Sequence, residues 1–228
     1  MSTDFNKLNN PAWYSLLETH RCFAVGNDTF KRYQPDIVSF SAFQSGKKNA
    51  LAEMDNWMQP GESFFLIGEF NALPSNYVVE TVLPCVQMIC TTKIEIPITA
   101  TIETLSEQDD DQMIALINKT LPGYYLRETR LMGDYYGIRV NGELVAMTGE
   151  RMRMDGLTEI SAVVTHPDFT GRGYAQQLVA HTSNKNLTAG IIPFLHTGTS
   201  NERALKVYEL LGYTTRRVID FTRIKRNS

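Results

Sequence analysis

The stretch between residues 135 and 179 constrains this chain more than any other. Residues 135–140 read as a strand that runs into Asn141-Gly142, a dipeptide that accepts the left-handed backbone of a tight hairpin. Residues 144–154 make a second strand, ended by a second such pair, Asp155-Gly156. Residues 158–165 make a third, which stops at Pro167, a residue with no N–H to donate to a ladder. The rhythm then changes. A loop with two glycines leads into a helix over residues 173–184, a buried strand over 193–197 and a helix over 201–211. Gly212 closes that last helix as its cap residue, and residues 213–225 read as one or two final strands. Hairpins first and β-α-β-α afterwards describe an α/β protein with a mixed sheet.

Upstream, residues 102–105 are a short strand. Ser106-Glu107-Gln108-Asp109 then resembles a capping box, with the acid at the positive end of the following helix. Met113, Ile114, Leu116 and Ile117 supply that helix with its apolar stripe. The first 98 residues carry weaker signals. Helices are expected over residues 11–22 and 48–58, the second stopped by Pro60-Gly61, and strands over 63–70, 86–90 and 93–98. No glycine-rich loop and no acid–base cluster stands out there. The chain therefore divides into an N-terminal α/β half, 1–98, and a C-terminal domain, 99–228.

Composition removes several function classes. A net charge of -3 is not the basic footprint of a nucleic-acid binder, and the cluster Arg223, Lys225 and Arg226 reads as a solvated end. Cys22, Cys85 and Cys90 are odd in number and contain no CxxC, which points away from disulfides and zinc and toward a reducing cytoplasm. The start, MSTDFNKLNNPAWY, shows no signal-peptide pattern, and no apolar run approaches the ~20 residues that span a bilayer. No metal, membrane or nucleic-acid partner is expected.

The loop after the third strand carries the chemistry. In residues 159–179, EISAVVTHPDFTGRGYAQQLV, the glycines let the backbone turn tightly and approach a ligand closely. Helix-start N–H groups lack internal partners, and the helix dipole adds partial positive charge, so a phosphate or pyrophosphate is favoured there. The order matches neither GxGxxG nor GxxxxGK[ST]. On shape alone, an anion site and a ligand-free glycine-rich connection are equal readings.

The surroundings resemble a known family. Thr170-Gly171-Arg172-Gly173-Tyr174-Ala175 is similar to the acetyl-CoA motif [Q/R]xxGx[G/A] of the GNAT superfamily, with Thr170 where Gln or Arg is usual. The run GIRVNGELVAMTGERMRMDGLTEISAVVTHPDFTGRGYA resembles the FR47-like branch, and NxxAxxxYxxxGY within PFLHTGTSNERALKVYELLGY is a recurrent GNAT signature. The N-terminal half resembles the extra half of two-part members. It is read as a scaffold or as a degenerate copy of the domain.

The resemblance implies the GNAT fold, a mostly antiparallel sheet flanked by helices, and transfer of an acetyl group from acetyl-CoA to a primary amine. The cofactor strand carries Val163, Val164 and Thr165, which offer backbone groups to pantetheine, and Gly171 to Gln176 match the pyrophosphate cradle, with Arg172 adding charge. Asn201 caps the last helix and approaches the cofactor, and Ala204 leaves room for it. Tyr208 matches the acid that protonates the departing thiolate; its plainer reading is a half-buried amphipathic tyrosine. Glu159 is the first candidate for general base, equally readable as a strand-end carboxylate, ahead of His166, His196 and Glu150. Tyr124, Tyr125 and Arg127 are placed over the amine acceptor, a small molecule, peptide or protein. An acetyl-CoA-sensing module without turnover is the alternative function, and a homodimer is compatible with the sequence.

Overall fold

The hairpins form where their turn residues demand. In this computed structural model, which describes residues 3–46, 50–68, 70 and 73–228, Asn141 and Gly142 hold φ of 52° and 84° and link two strands in register. The elements in chain order are α1 (Pro11–Leu17), β1 (Ala24–Gly26), β2 (Phe30–Tyr33), β3 (Phe40–Phe43), β4 (Ser63–Ile67), β5 (Tyr77–Ile89) and β6 (Glu103–Leu105). Next are α2 (Asp110–Asn118), β7 (Tyr135–Val140), β8 (Glu143–Met154), β9 (Leu157–Thr165), α3 (Tyr174–Thr188), β10 (Ile192–Gly198), α4 (Glu202–Leu210) and β11 (Thr214–Arg226).

All eleven strands join one sheet, ordered β1-β2-β3-β4-β11-β5-β10-β9-β8-β7-β6. Two neighbouring pairs are parallel, β3 with β4 and β9 with β10, and the rest are antiparallel. This is the mixed, mostly antiparallel α/β sheet expected. The order is nearly a palindrome. β1 to β4 mirror β7 to β10, and β5 and β11 cross over at the centre, so β4 pairs with β11 and β10 pairs with β5. Neither half can complete its sheet without the other's last strand.

The core follows from this exchange. One apolar cluster joins Leu8, Trp13, Leu16, Tyr33 and Phe40 of the first half to Met152, Leu157, Phe194 and Phe221 of the second. On the other side α3 lies against β8, β9 and β10, with Leu178, Val179 and Ala180 fully buried. The capping box forms as read: Ser106 N–H donates to Asp109 Oδ2 at 2.8 Å, and α2 starts just beyond.

Three local readings are corrected. The first helix ends at Leu17, and residues 21–23 form a separate 3-10 turn. The second helix is a 3-10 segment, Ala50–Asn56; residues 48 and 49 of that reading lie outside the described residues. The expected strand over residues 93–98 is irregular, because the Asn184 side chain on α3 takes the place of a neighbouring strand. Its Oδ1 accepts from Ile94 N–H and its Nδ2 donates to Ile94 C=O, both at 2.8 Å. Among the described residues no helix is long and apolar enough to cross a membrane.

Gly149 on β8 faces Tyr135 on β7, whose ring is almost fully buried, and a β-carbon at Gly149 would overlap that ring. Gly149→Ala is therefore expected to destabilise the fold by about 1–3 kcal/mol. Thermal unfolding should show the midpoint falling by about 2–4 °C for each kcal/mol.

Candidate active site

β9 and β10 begin as partners and then part. Their pairing covers Leu157, Thr158 and Glu159 against Ile192, Pro193 and Phe194, and stops there. β10 continues to Gly198, bonded on its other side to β5. β9 bends at a bulge: Ser161 faces Gly149 and Val164 faces Met147, so Ala162 and Val163 both stand opposite Thr148. Ala162 takes the left-handed conformation, φ 49°, and Thr148 Oγ1 braces the bend by donating to Ser161 C=O at 3.1 Å. The result is a gap between two strands whose facing backbone groups lack a sheet partner.

Two cavities open into this gap. The first, about 670 Å³, runs along Val163, Val164 and Thr165 to Thr170, Gly171, Gly173, Tyr174, Ala175 and Gln176. Asn201, Ala204 and Tyr208 of α4 close its far side. The glycines are needed where they stand, since Gly171 and Gly173 hold φ of 80° and 75°, and Gly173 is the N-cap of α3 with no side chain capping the helix. A β-carbon on Gly171 would meet nothing within 4 Å, so the loop is open to a ligand. Thr170 spends its hydroxyl locally, donating to Pro167 C=O at 3.1 Å. Arg172 does not line the cleft. It is exposed and lies over the Phe169 ring, 4.7 Å from its centroid. Arg203, in the first turn of α4, does line it. The sequence reading missed this cation, although its place two residues after the Asn201 cap was a usable signal. Asn201 caps α4 as expected, its Oδ1 accepting from Ala204 N–H at 3.1 Å.

The second cavity, about 380 Å³, shares Leu121, Val163, Asn201, Ala204 and Tyr208 with the first. Its walls come from both halves of the chain. Val38, Phe40, Phe65, Leu83 and Cys85 come from the first half, and Tyr124, Tyr125, Tyr135, Arg151 and Phe221 from the second. Tyr124 and Tyr125, expected over the amine acceptor, both line this cavity. Arg127 is not brought there; it pairs outside with Asp111, Nη2 to Oδ1 at 2.5 Å. The apolar wall from β3 and β4 was missed, because nothing in the pattern of either strand says what it faces.

Tyr208 sits where the cavities meet. It is 8% exposed, and among the described residues its hydroxyl makes no hydrogen bond. Burial pushes its pKa up to about 12, so it keeps its proton at neutral pH. Glu159 is elsewhere. It is fully buried, lines neither cavity and has both oxygens engaged. Arg151 holds it bidentately, Nε to Oε2 at 2.8 Å and Nη2 to Oε1 at 2.7 Å, and His196 Nδ1 reaches Oε1 at 2.7 Å. Burial alone would raise its pKa, but the charge and hydrogen bonds of Arg151, with His196, bring it down to about 2. His196 lines the second cavity, yet its Nε2 meets Gln87 Nε2 at 2.9 Å. Gln87 is oriented by Arg216, which donates to its Oε1 at 2.9 Å, so Nε2 of His196 accepts and Nδ1 carries the proton. His166 and Glu150 also lie outside both cavities. Among the described residues no group of three or more His, Cys, Asp or Glu is placed to hold a metal ion.

This geometry agrees with what the chain is similar to. A family model described as FR47-like protein matches residues 135–222. A GNAT-family protein from Novosphingobium aromaticivorans is 32% identical over 97% of this chain and 99% of its own, with a TM-score of 0.88. A GCN5-related N-acetyltransferase from Kribbella flavida is 17% identical over 95% of this chain and 94% of its own, with a TM-score of 0.59. A functionally unknown conserved protein from Staphylococcus epidermidis is 10% identical over 90% and 93%, with a TM-score of 0.58; both share the fold. No curated protein matches the sequence. The fold and the open-strand cleft define an acyltransferase architecture, and the chain belongs to the GNAT family.

Two buried ionisable groups make the stability of the fold fall as pH falls. Burial holds His20 at about 4, below its ordinary 6.5, while it bonds Met132 C=O. The unfolded chain therefore takes up this proton first, and the stability contributed by neutral His20 is complete above about pH 6.5 and lost as pH falls toward 4. Glu159, held at about 2 against an ordinary 4.5, adds a second loss from about pH 4.5 downward. Denaturant unfolding measured between about pH 7.5 and 3 should show both stages, and His20→Gln should flatten the upper one while leaving the lower.

Proposed function

We propose that this protein transfers the acetyl group of acetyl-CoA to a primary amine by direct attack in a ternary complex. The observation that carries this reading is the junction at Val163, Ala204 and Tyr208, where a cleft ending in a glycine loop meets a separate cavity. The cleft suits the cofactor. Val163, Val164 and Thr165 offer unpaired strand backbone to pantetheine, and the loop from Gly171 to Gln176 offers helix-start N–H groups to the pyrophosphate. Arg203 is the cation that lines the cleft, and it supplies positive charge where Thr170 stands in place of the usual Gln or Arg.

Bound acetyl-CoA supplies an already activated thioester, so the protein mainly has to hold both reactants in line. A backbone N–H in the unpaired part of β9 polarises the carbonyl. The amine nitrogen forms its bond to the carbonyl carbon, the carbon–sulfur bond breaks, and Tyr208 gives its proton to the departing sulfur. The proton lost from the amine goes to solvent, from which Tyr208 is restored. Glu159 is better suited to clamping Arg151 and His196 than to acting as base, because both its oxygens are engaged. Among the described residues no carboxylate lines the acceptor cavity, and its histidine has both ring nitrogens engaged. The amine is then expected to react from its neutral form.

Thermal shift with acetyl-CoA, followed by thiol release across a panel of amines, tests the reading. Tyr208→Phe should lower kcat about 100-fold and leave acetyl-CoA binding nearly unchanged. The rate should rise with pH along the ionisation of the amine itself. Tight acetyl-CoA binding with no thiol release on any amine, untouched by Tyr208→Phe, would make the protein a sensing module; no binding would end both readings.

A further inference from the structure

The acetyl-transfer reading leaves the acceptor unnamed, and the acceptor cavity holds one side chain that this reading does not use. Arg151, on β8, is among the described residues the one guanidinium lining a cavity whose walls are aromatic and apolar at Phe40, Phe65, Leu83 and Phe221 and polar at Thr129 and Asn201. One edge of its guanidinium and its ring contacts are accounted for. The Nε–Nη2 edge is taken by Glu159. Phe40 and Phe221 lie near the group, with ring centroids 4.8 and 5.9 Å from Cζ. Nη1 is different: among the described residues it has no hydrogen-bond partner, and the side chain remains 21% exposed.

A guanidinium held in this way has one remaining edge, and a planar pair of N–H donors matches a carboxylate. The clamp by Glu159 fixes the orientation of that edge, so little side-chain freedom is lost when a ligand binds. The same lining sets what an amine would meet there. It has no carboxylate of its own among the described residues, so the second ammonium of a diamine or polyamine would meet Arg151 with nothing to offset the repulsion. A simple hydrophobic amine would satisfy the aromatic walls and leave the guanidinium edge desolvated without a partner. We infer that the acceptor is an amino carboxylate with an aromatic or large apolar side chain, its carboxylate bound by the free edge of Arg151 and its amine turned toward the junction at Val163 and Tyr208.

This inference rests on the acetyl-transfer reading, and the test separates the two. Acetylation of phenylalanine, phenylalaninol and 2-phenylethylamine is compared, with rates corrected for amine ionisation. Phenylalanine is expected to have kcat/KM about 10- to 100-fold higher than the other two. Arg151→Lys, which keeps a charge beside Glu159 but removes the second edge, should bring the ratio between phenylalanine and 2-phenylethylamine close to one. If that variant does not fold, the pair Arg151→Met with Glu159→Gln removes both buried charges together and should give the same collapse. Binding of N-acetylphenylalanine to the wild-type protein, followed by NMR or calorimetry, reads the carboxylate contact without turnover and should exceed that of N-acetyl-2-phenylethylamine. Acetylation of amines with no carboxylate preference, or a ratio unchanged by Arg151→Lys, overturns the acceptor class and leaves acetyl transfer standing. Failure to bind acetyl-CoA overturns both.

Discussion

β10 keeps one complete hydrogen-bonded edge while it gives up the other, and the site depends on this. Opening a sheet normally strands buried N–H and C=O groups on both strands involved, at a cost near that of the lost hydrogen bonds. Here β5 pairs with β10 from Phe194 to Gly198, and so covers Leu195 to Gly198, the residues that leave β9. Only the edge facing the gap is unpaired, which is the edge an extended ligand can complete. On the β9 side, the bulge at Ala162 and Val163 turns the strand away without tearing the sheet from β8.

β5 belongs to the first half of the chain, so that half is part of the site and not an appendage to it. The crossing of β5 and β11 locks the halves into one sheet and sets β3 and β4 within reach of the second cavity. Phe40 and Phe65, partners across the parallel β3/β4 pair, become its wall. The two halves repeat a strand pattern, but between β3 and β4 the chain runs through a 3-10 segment, and between β9 and β10 through a glycine loop and α3. Among the described residues, only the second arrangement places a long helix start beside the gap.

A chain of charged and polar groups, Arg151, Glu159, His196, Gln87 and Arg216, runs back from the wall of the second cavity, which Arg151 and His196 line. A buried carboxylate is costly to desolvate and is tolerated only when every lone pair has a donor. Glu159 meets that requirement, with two bonds from Arg151, one from His196 and a longer one from Met152 N–H. The chain holds Arg151 in place and fixes the tautomer of His196, and it leaves both oxygens of Glu159 and both ring nitrogens of His196 engaged.

Much of the second half was legible from the sequence, because its signals are local. Asn141-Gly142 and Asp155-Gly156 fix turns through their own φ preferences, Gly171 and Gly173 sit where positive φ is needed, and Asn201 caps the helix it precedes. Val163 to Thr165, the loop and Tyr208 were therefore placed together along one cleft by spacing and resemblance. The strand over residues 93–98 was not legible, since Asn184, ninety residues on, replaces its partner. Glu159 shows the same limit. Its place on β9 follows from the sequence, but its pairing with Arg151 and His196 depends on sheet register and on burial. The sequence by itself determined the turns, caps and glycine loop, each decided within a few residues. Only the tertiary structure decided which strand borders the gap, which aromatics wall the second cavity and which charges are neutralised, because those depend on contacts between residues far apart in the chain.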